Sequence, residues 1–99
     1  MTNKEKIALI AHNNGLELAL DKLAEECAEY AAARIKDNIG GETINRYPYE
    51  LADVVIMVEE VKLLIEDSRP GLSEIIQKEI ESKLDRQLQR IKEREYENY

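Results

Sequence analysis

Four acidic residues stand in two pairs of equal spacing, Glu26 with Glu29 and Glu50 with Asp53. Residues three apart share a helix face, so each pair would project two carboxylates the same way. Asp53 is the one polar residue in the run Leu51-Ala52-Asp53-Val54-Val55-Ile56-Met57-Val58. A helix that is apolar all round is normally buried, and a charge there is costly unless it is paired or bound to a metal. If the helices carrying the two pairs face each other, four carboxylates converge. Oxygen donors, with water completing the shell, suit Mg2+ or Mn2+. Two blander readings compete: an ion pair between Asp53 and a Lys or Arg, and a solvated acidic face for Glu26 and Glu29. The second is common in a chain with 21 Asp and Glu.

Other chemistries fit less well. A carboxylate-bridged di-iron bundle needs Glu-x-x-His on two helices. The single histidine, His12, lies outside both acidic pairs. No Ser-His-Asp or Cys-His arrangement appears, and Gly40-Gly41 lacks the Lys-Ser/Thr tail of a phosphate-binding loop, leaving only a loop signal. Cys27, the lone cysteine, excludes an intrachain disulfide and is expected as a small buried core residue. Basic residues that could meet an anion are Lys22, Lys36 and Arg46 near the acidic helices, and Lys83, Arg86 and Arg90 further on. The last three fall at i, i+3 and i+7 and share one face, although acids on the same helix could pair with them.

The elements that must position these groups are helical. Ninety-nine residues make one domain, 1–99, with 35% charged residues, four Gly, two Pro and Tyr as the only aromatic type. The first helix is expected over roughly Asn3 to His12, closed by Asn13-Asn14-Gly15 as a C-cap. The second runs from about Leu16 to Lys36, with Leu16, Leu20, Leu23, Cys27, Tyr30 and Ala31 as its apolar stripe. Asp37-Asn38-Ile39-Gly40-Gly41 breaks it, and a loop follows to about Tyr47. Pro48 fits the first turn of the third helix, which should reach about Asp67. Ser68-Arg69-Pro70-Gly71 is a turn. The fourth helix runs from about Leu72 into the 90s on Ile76, Ile80, Leu84, Leu88 and Ile91, and the polar end from Glu93 is expected to fray.

Short connections favour antiparallel neighbours, so the expected fold is all-α. It is an antiparallel bundle of three long helices plus a short N-terminal one. The apolar girth of the third helix would leave a single copy poorly covered, which leads us to expect a homodimer or homotetramer. The formal charge of −7 argues against a nucleic-acid binder. A phosphorylated ligand stays compatible, because bound cations would reverse the local sign. No run approaches the length of a membrane span, and Met1-Thr2-Asn3-Lys4-Glu5-Lys6 is no secretion signal, so the cytoplasm is the expected location.

Glu25-Glu26-Cys27-Ala28-Glu29 followed by Glu50-Leu51-Ala52-Asp53 resembles the EExxE…ExxD pattern of the MazG-like all-α nucleoside triphosphate pyrophosphohydrolases. That superfamily also holds the dimeric dUTPases and dCTPases. Lys22 through Glu60, and Lys83-Leu84-Asp85-Arg86-Gln87-Leu88-Gln89-Arg90-Ile91, are similar to small phage and bacterial members, so the resemblance spans about Gly15 to Ile91. It implies Mg2+-dependent cleavage of the α–β phosphate bond of a nucleotide, giving a nucleoside monophosphate and pyrophosphate. Glu26, Glu29, Glu50 and Asp53 would be metal ligands, and Glu25 would hold or deprotonate the attacking water. Lys22, Lys83, Arg86 and Arg90 are the candidate phosphate contacts. Small relatives place the base against the segment before the EExxE helix, which here contains His12, Asn13 and Asn14. Asn can both donate to and accept from a base edge, but is equally an ordinary turn residue. The alternatives are a non-catalytic helical binding or regulatory module with the same fold, and a structural oligomer whose acids make ion pairs.

Overall fold

The computed structural model describes residues 1–39 and 45–97, and these form four helices with no strand among them. The Gly40-Gly41 loop signal lies outside the described residues. Helix α1 spans Asn3–Asn14, and Thr2 starts it with a capping box. The Thr2 hydroxyl accepts from the Glu5 N–H at 3.1 Å, and the Glu5 carboxylate accepts from the Thr2 N–H at 3.1 Å. Gly15 ends α1 with φ of 79°, a conformation that other residues rarely adopt, and its N–H reaches the Ala11 carbonyl. One residue therefore joins α1 to α2.

Helix α2 spans Leu16–Ile39, α3 spans Tyr47–Ser68 and α4 spans Pro70–Glu97. Pro48 stands in the first turn of α3, as its fixed φ favours. Arg46, the residue before α3, provides no side-chain cap. Asp37 of α2 substitutes for it, accepting from the Arg46 N–H at 3.0 Å and the Tyr47 N–H at 3.0 Å. A carboxylate at a helix N-terminus meets both orphan donors and the positive end of the dipole. The backbone hydrogen bond from Arg46, more than any other influence, holds the Asp37 carboxyl below its ordinary pKa. Arg34 adds a guanidinium over the Tyr47 ring, 5.0 Å from its centroid. At the other end of the pair, Arg69 lies 4.0 Å from Glu17. With Asp37 beside Arg46 and Glu17 beside Arg69, α2 and α3 run antiparallel.

The core lies between α1, α2 and α3: Ala11, Ala19, Met57, Val61, Leu64 and Ile65 are buried, with Leu16, Leu23 and Leu63 packed around them. Alanine at 11 and 19 lets α1 and α2 approach α3 closely. Two polar links tie α1 to α3: His12 Nε2 lies 3.1 Å from an Asp67 oxygen, and the Asn14 amide donates to Glu60 at 3.2 Å. Glu60 is only 2% exposed.

Several expectations need correction. The inward face of α2 carries Ala19 and Ala33, whereas Leu20 and Cys27 are exposed. The apolar stripe of α2 is broader than one neighbouring helix covers, and the smallest residues sit at the closest approach. Cys27 is therefore not a core residue of this chain. In α3, Met57 is buried but Leu51, Val55, Ile56 and Val58 are exposed, and so is Asp53. The apolar run is covered on one side only, and Asp53 faces water rather than a dry interior. Helix α4 continues through Glu93 to Glu97. The turn before α4 is the single residue Arg69, with Pro70 opening the helix. Helix α4 leans on α3 and not on α2. No described helix is long and apolar enough to cross a membrane.

Candidate metal centre

Helices α2 and α3 present their acidic residues to each other near the end of the pair that Asp37 closes. The inward face of α2 follows Ala19, Leu23, Glu26 and Ala33, so Glu26 enters the α2–α3 seam, with Glu29 one turn further on. On α3 the same seam follows Glu50, Met57, Val61 and Leu64. One carboxylate oxygen from each of Glu26, Glu29 and Glu50 lies within 4.8 Å of the other two. Glu26 and Glu50 are half-buried and Glu29 is exposed. Asp53, one turn after Glu50, stands beside this trio on the exposed side, and its charge acts on Glu26.

Glu26 is the centre of the electrostatics. Its Oε2 is shielded from solvent and, among the described residues, meets no hydrogen-bond donor. Loss of hydration pushes its carboxyl above the ordinary pKa, and the charge of Glu29 and then those of Asp53 and Glu50 push the same way. A shielded acceptor facing like charges is stabilised by a proton or by a cation. The donor set is all oxygen, two of the three residues come from α2 and one from α3, and Glu29 is exposed. Those properties fit a hard divalent ion.

A cavity of ≈ 210 Å³ adjoins the acids, lined by Glu29, Ala32, Ala33, Lys36, Arg46 and Glu50. It brings two cations, Lys36 and Arg46, to the edge of an acidic centre. Both follow from local sequence: Lys36 is two turns after Glu29 on one face of α2, and Arg46 immediately precedes α3. Of the other basic residues named from sequence, Lys22 is exposed one turn before Glu26. Lys83, Arg86 and Arg90 are exposed on α4, where Lys83 lies 3.9 Å from Glu79. Glu25 is exposed on α2, outside the trio. His12 and Asn14 are engaged in the α1–α3 links, and Asn13 is exposed. A larger groove of ≈ 500 Å³ between α1 and α3, lined in part by Lys4, Glu59, Lys62 and Glu66, lies away from the acidic centre.

The burial of Glu60 is not anticipated by the sequence reading. The signal was there, because Glu60 is three residues from Met57 and four from Leu64, both core positions. Comparison with known protein families, with curated proteins and with solved structures gives no match to this chain.

Proposed function

We propose that this chain is a Mg2+-dependent nucleoside triphosphate pyrophosphohydrolase that acts as a homo-oligomer in the cytoplasm. The observation that supports this most is the convergence of Glu26, Glu29 and Glu50 around a shielded carboxylate oxygen that meets no donor among the described residues, beside a cavity edged by Lys36 and Arg46. The resemblance of Glu25 to Glu29 and Glu50 to Asp53 to the MazG-like motif supplies the reaction class. In this reading the helices form an antiparallel bundle that a second copy completes.

Glu26, Glu29 and Glu50 would hold Mg2+ with Asp53 completing the set. When bound, the cation offsets phosphate charge and acidifies a water molecule. Lys36 and Arg46 orient the polyphosphate at the edge of the acids, which repel a bare phosphate. Phosphoryl transfer needs this positioning and charge balance more than covalent help from the protein. Glu25 is the candidate general base, taking the proton of the attacking water as its oxygen bonds to the α-phosphorus. The α–β bridging oxygen leaves with pyrophosphate, and the nucleoside monophosphate remains.

The test is a panel of natural and modified nucleoside triphosphates incubated with the full chain and Mg2+, with products identified. Release of pyrophosphate and a monophosphate from at least one substrate is expected. Absence of pyrophosphate release across the panel would sink the proposal, and Mg2+-independent nucleotide binding without turnover would favour the binding-module reading.

A further inference from the structure

We propose that Asp37 is a positioning residue of the acidic centre: its bonds to the N-terminus of α3 hold Glu50 against Glu26 and Glu29. The inference rests on the reading of these acids as a cation site. Both Asp37 oxygens are engaged. Oδ1 accepts from the Arg46 N–H at 3.1 Å, and Oδ2 accepts from the Arg46 N–H at 3.0 Å and the Tyr47 N–H at 3.0 Å. Arg34, one turn earlier on α2, holds its guanidinium 5.0 Å from the centroid of the Tyr47 ring. These two contacts join the end of α2 to the start of α3. Glu50 is one turn after Arg46 on the same face of α3, and Glu29 is about two turns before Asp37 on α2. The cavity of ≈ 210 Å³ spans the interval, with Lys36 and Arg46 lining it at the Asp37 end and Glu29 and Glu50 at the acidic end.

Apolar packing does not fix this end of α3. None of the residues from Tyr47 to Ile56 is buried, and the buried face of α3 begins at Met57. On α2 the buried residue at this end is Ala33, whose methyl group offers little contact. The acids themselves work against close approach, since the like charges of Glu26, Glu29 and Glu50 repel across the seam. The helix dipoles explain why Asp37 turns to α3. A carboxylate near the C-terminus of α2 opposes that helix's own dipole, and is favoured instead by the positive end of another helix. Arg46 and Tyr47 supply the donors at that end, where α3 has no side-chain cap from Arg46. Of the two contacts, only that of the Tyr47 ring survives the loss of Asp37, and the end of α3 that carries Glu50 can then swing away from Glu26 and Glu29.

The test pairs two readouts on the full chain without nucleotide. Amide hydrogen exchange of the metal-free protein, followed by NMR, should quicken from Arg46 to Ile56 in Asp37→Ala and stay unchanged from Met57 to Ile65. Mn2+ affinity, read from the electron paramagnetic resonance signal of the free ion, should fall about tenfold in the same variant, the lower end of the range for residues that support metal ligands. Thr2→Ala removes a cap of the same kind from α1 and should leave Mn2+ affinity as in the wild type. Asp37→Asn keeps a capping oxygen without the charge, while Asp37→Glu keeps the charge on a longer stem. Positioning predicts tighter Mn2+ binding by Asp37→Asn than by Asp37→Glu. Attraction by charge alone predicts the reverse, so this pair decides even if Asp37→Ala does not fold. The reverse order, or exchange and Mn2+ affinity unaltered in Asp37→Ala, would overturn the proposal. A wild type that binds no Mn2+ would instead remove the cation reading, and quickened exchange in Asp37→Ala would still uphold the placement of α3 by Asp37.

Discussion

At the scale of single residues, Glu26 organises the site because it is the acid that enters the α2–α3 seam. Glu26→Gln removes a charge that dehydration and three neighbouring carboxylates oppose. The metal-free variant should therefore melt above the wild type, while the proposed Mg2+-dependent turnover should fall by about 10–100-fold, the range for disturbed metal sites. The pH response has a definite sign. A carboxyl whose folded pKa is raised favours the fold below its unfolded value, 4.5, and loses that contribution as the pH rises through the folded value. Asp37 acts oppositely: its contribution is complete above 3.8 and disappears as the pH falls through its lowered folded value. Thermal melts of metal-free protein from acid to neutral pH should show a descending limb attributable to Glu26, absent in Glu26→Gln. Asp53 carries a different expectation from the one its apolar sequence neighbours imply. It is exposed, so Asp53→Asn should change stability by no more than about 0.5 kcal/mol. Its effect should appear in Mg2+ dependence instead. The pairing of acids was legible from spacing alone, but the hydration of each was not, because sequence neighbours along a helix point in different directions.

At the scale of elements, the helices are held by polar devices at their ends as much as by their apolar faces. The helix boundaries read from sequence lie within a turn of those observed, because caps and breakers act locally: Thr2 with Glu5, Gly15 with positive φ, and Pro48 in a first turn. The cap of α3 by Asp37 was not legible, since it comes from another helix. The Asn14–Glu60 link is of the same kind. Asn14→Ala would leave the Glu60 carboxylate shielded without its amide donor, and should cost about 1–3 kcal/mol in denaturant unfolding. Combining it with Glu60→Leu should recover most of that loss, because the buried acceptor goes as well. If Asn14 instead contacts a nucleobase, Asn14→Ala should raise KM beyond what the stability loss explains.

For the whole molecule, a cation that binds the native state must raise its stability. Millimolar Mg2+ or Mn2+ should therefore raise the melting temperature of the wild type and leave Glu26→Gln unmoved; a melting temperature indifferent to both ions in the wild type would leave the acids as a solvated face. The sequence by itself determined the helices and their order, because capping, proline geometry and apolar periodicity are properties of a few consecutive residues. It also determined that Glu26 and Glu29 share one face and Glu50 and Asp53 another. Only the tertiary structure decided which of these acids meet, that Lys36 and Arg46 border them, and that Glu60 rather than Asp53 is the buried carboxylate of α3. Those outcomes depend on the rotation of α2 and α3 about their axes, which is set by where alanines allow closest approach. It likewise decided that α4 leaves its distal stripe uncovered, because α4 leans on α3 alone and periodicity says which face of a helix is apolar but not what stands opposite it.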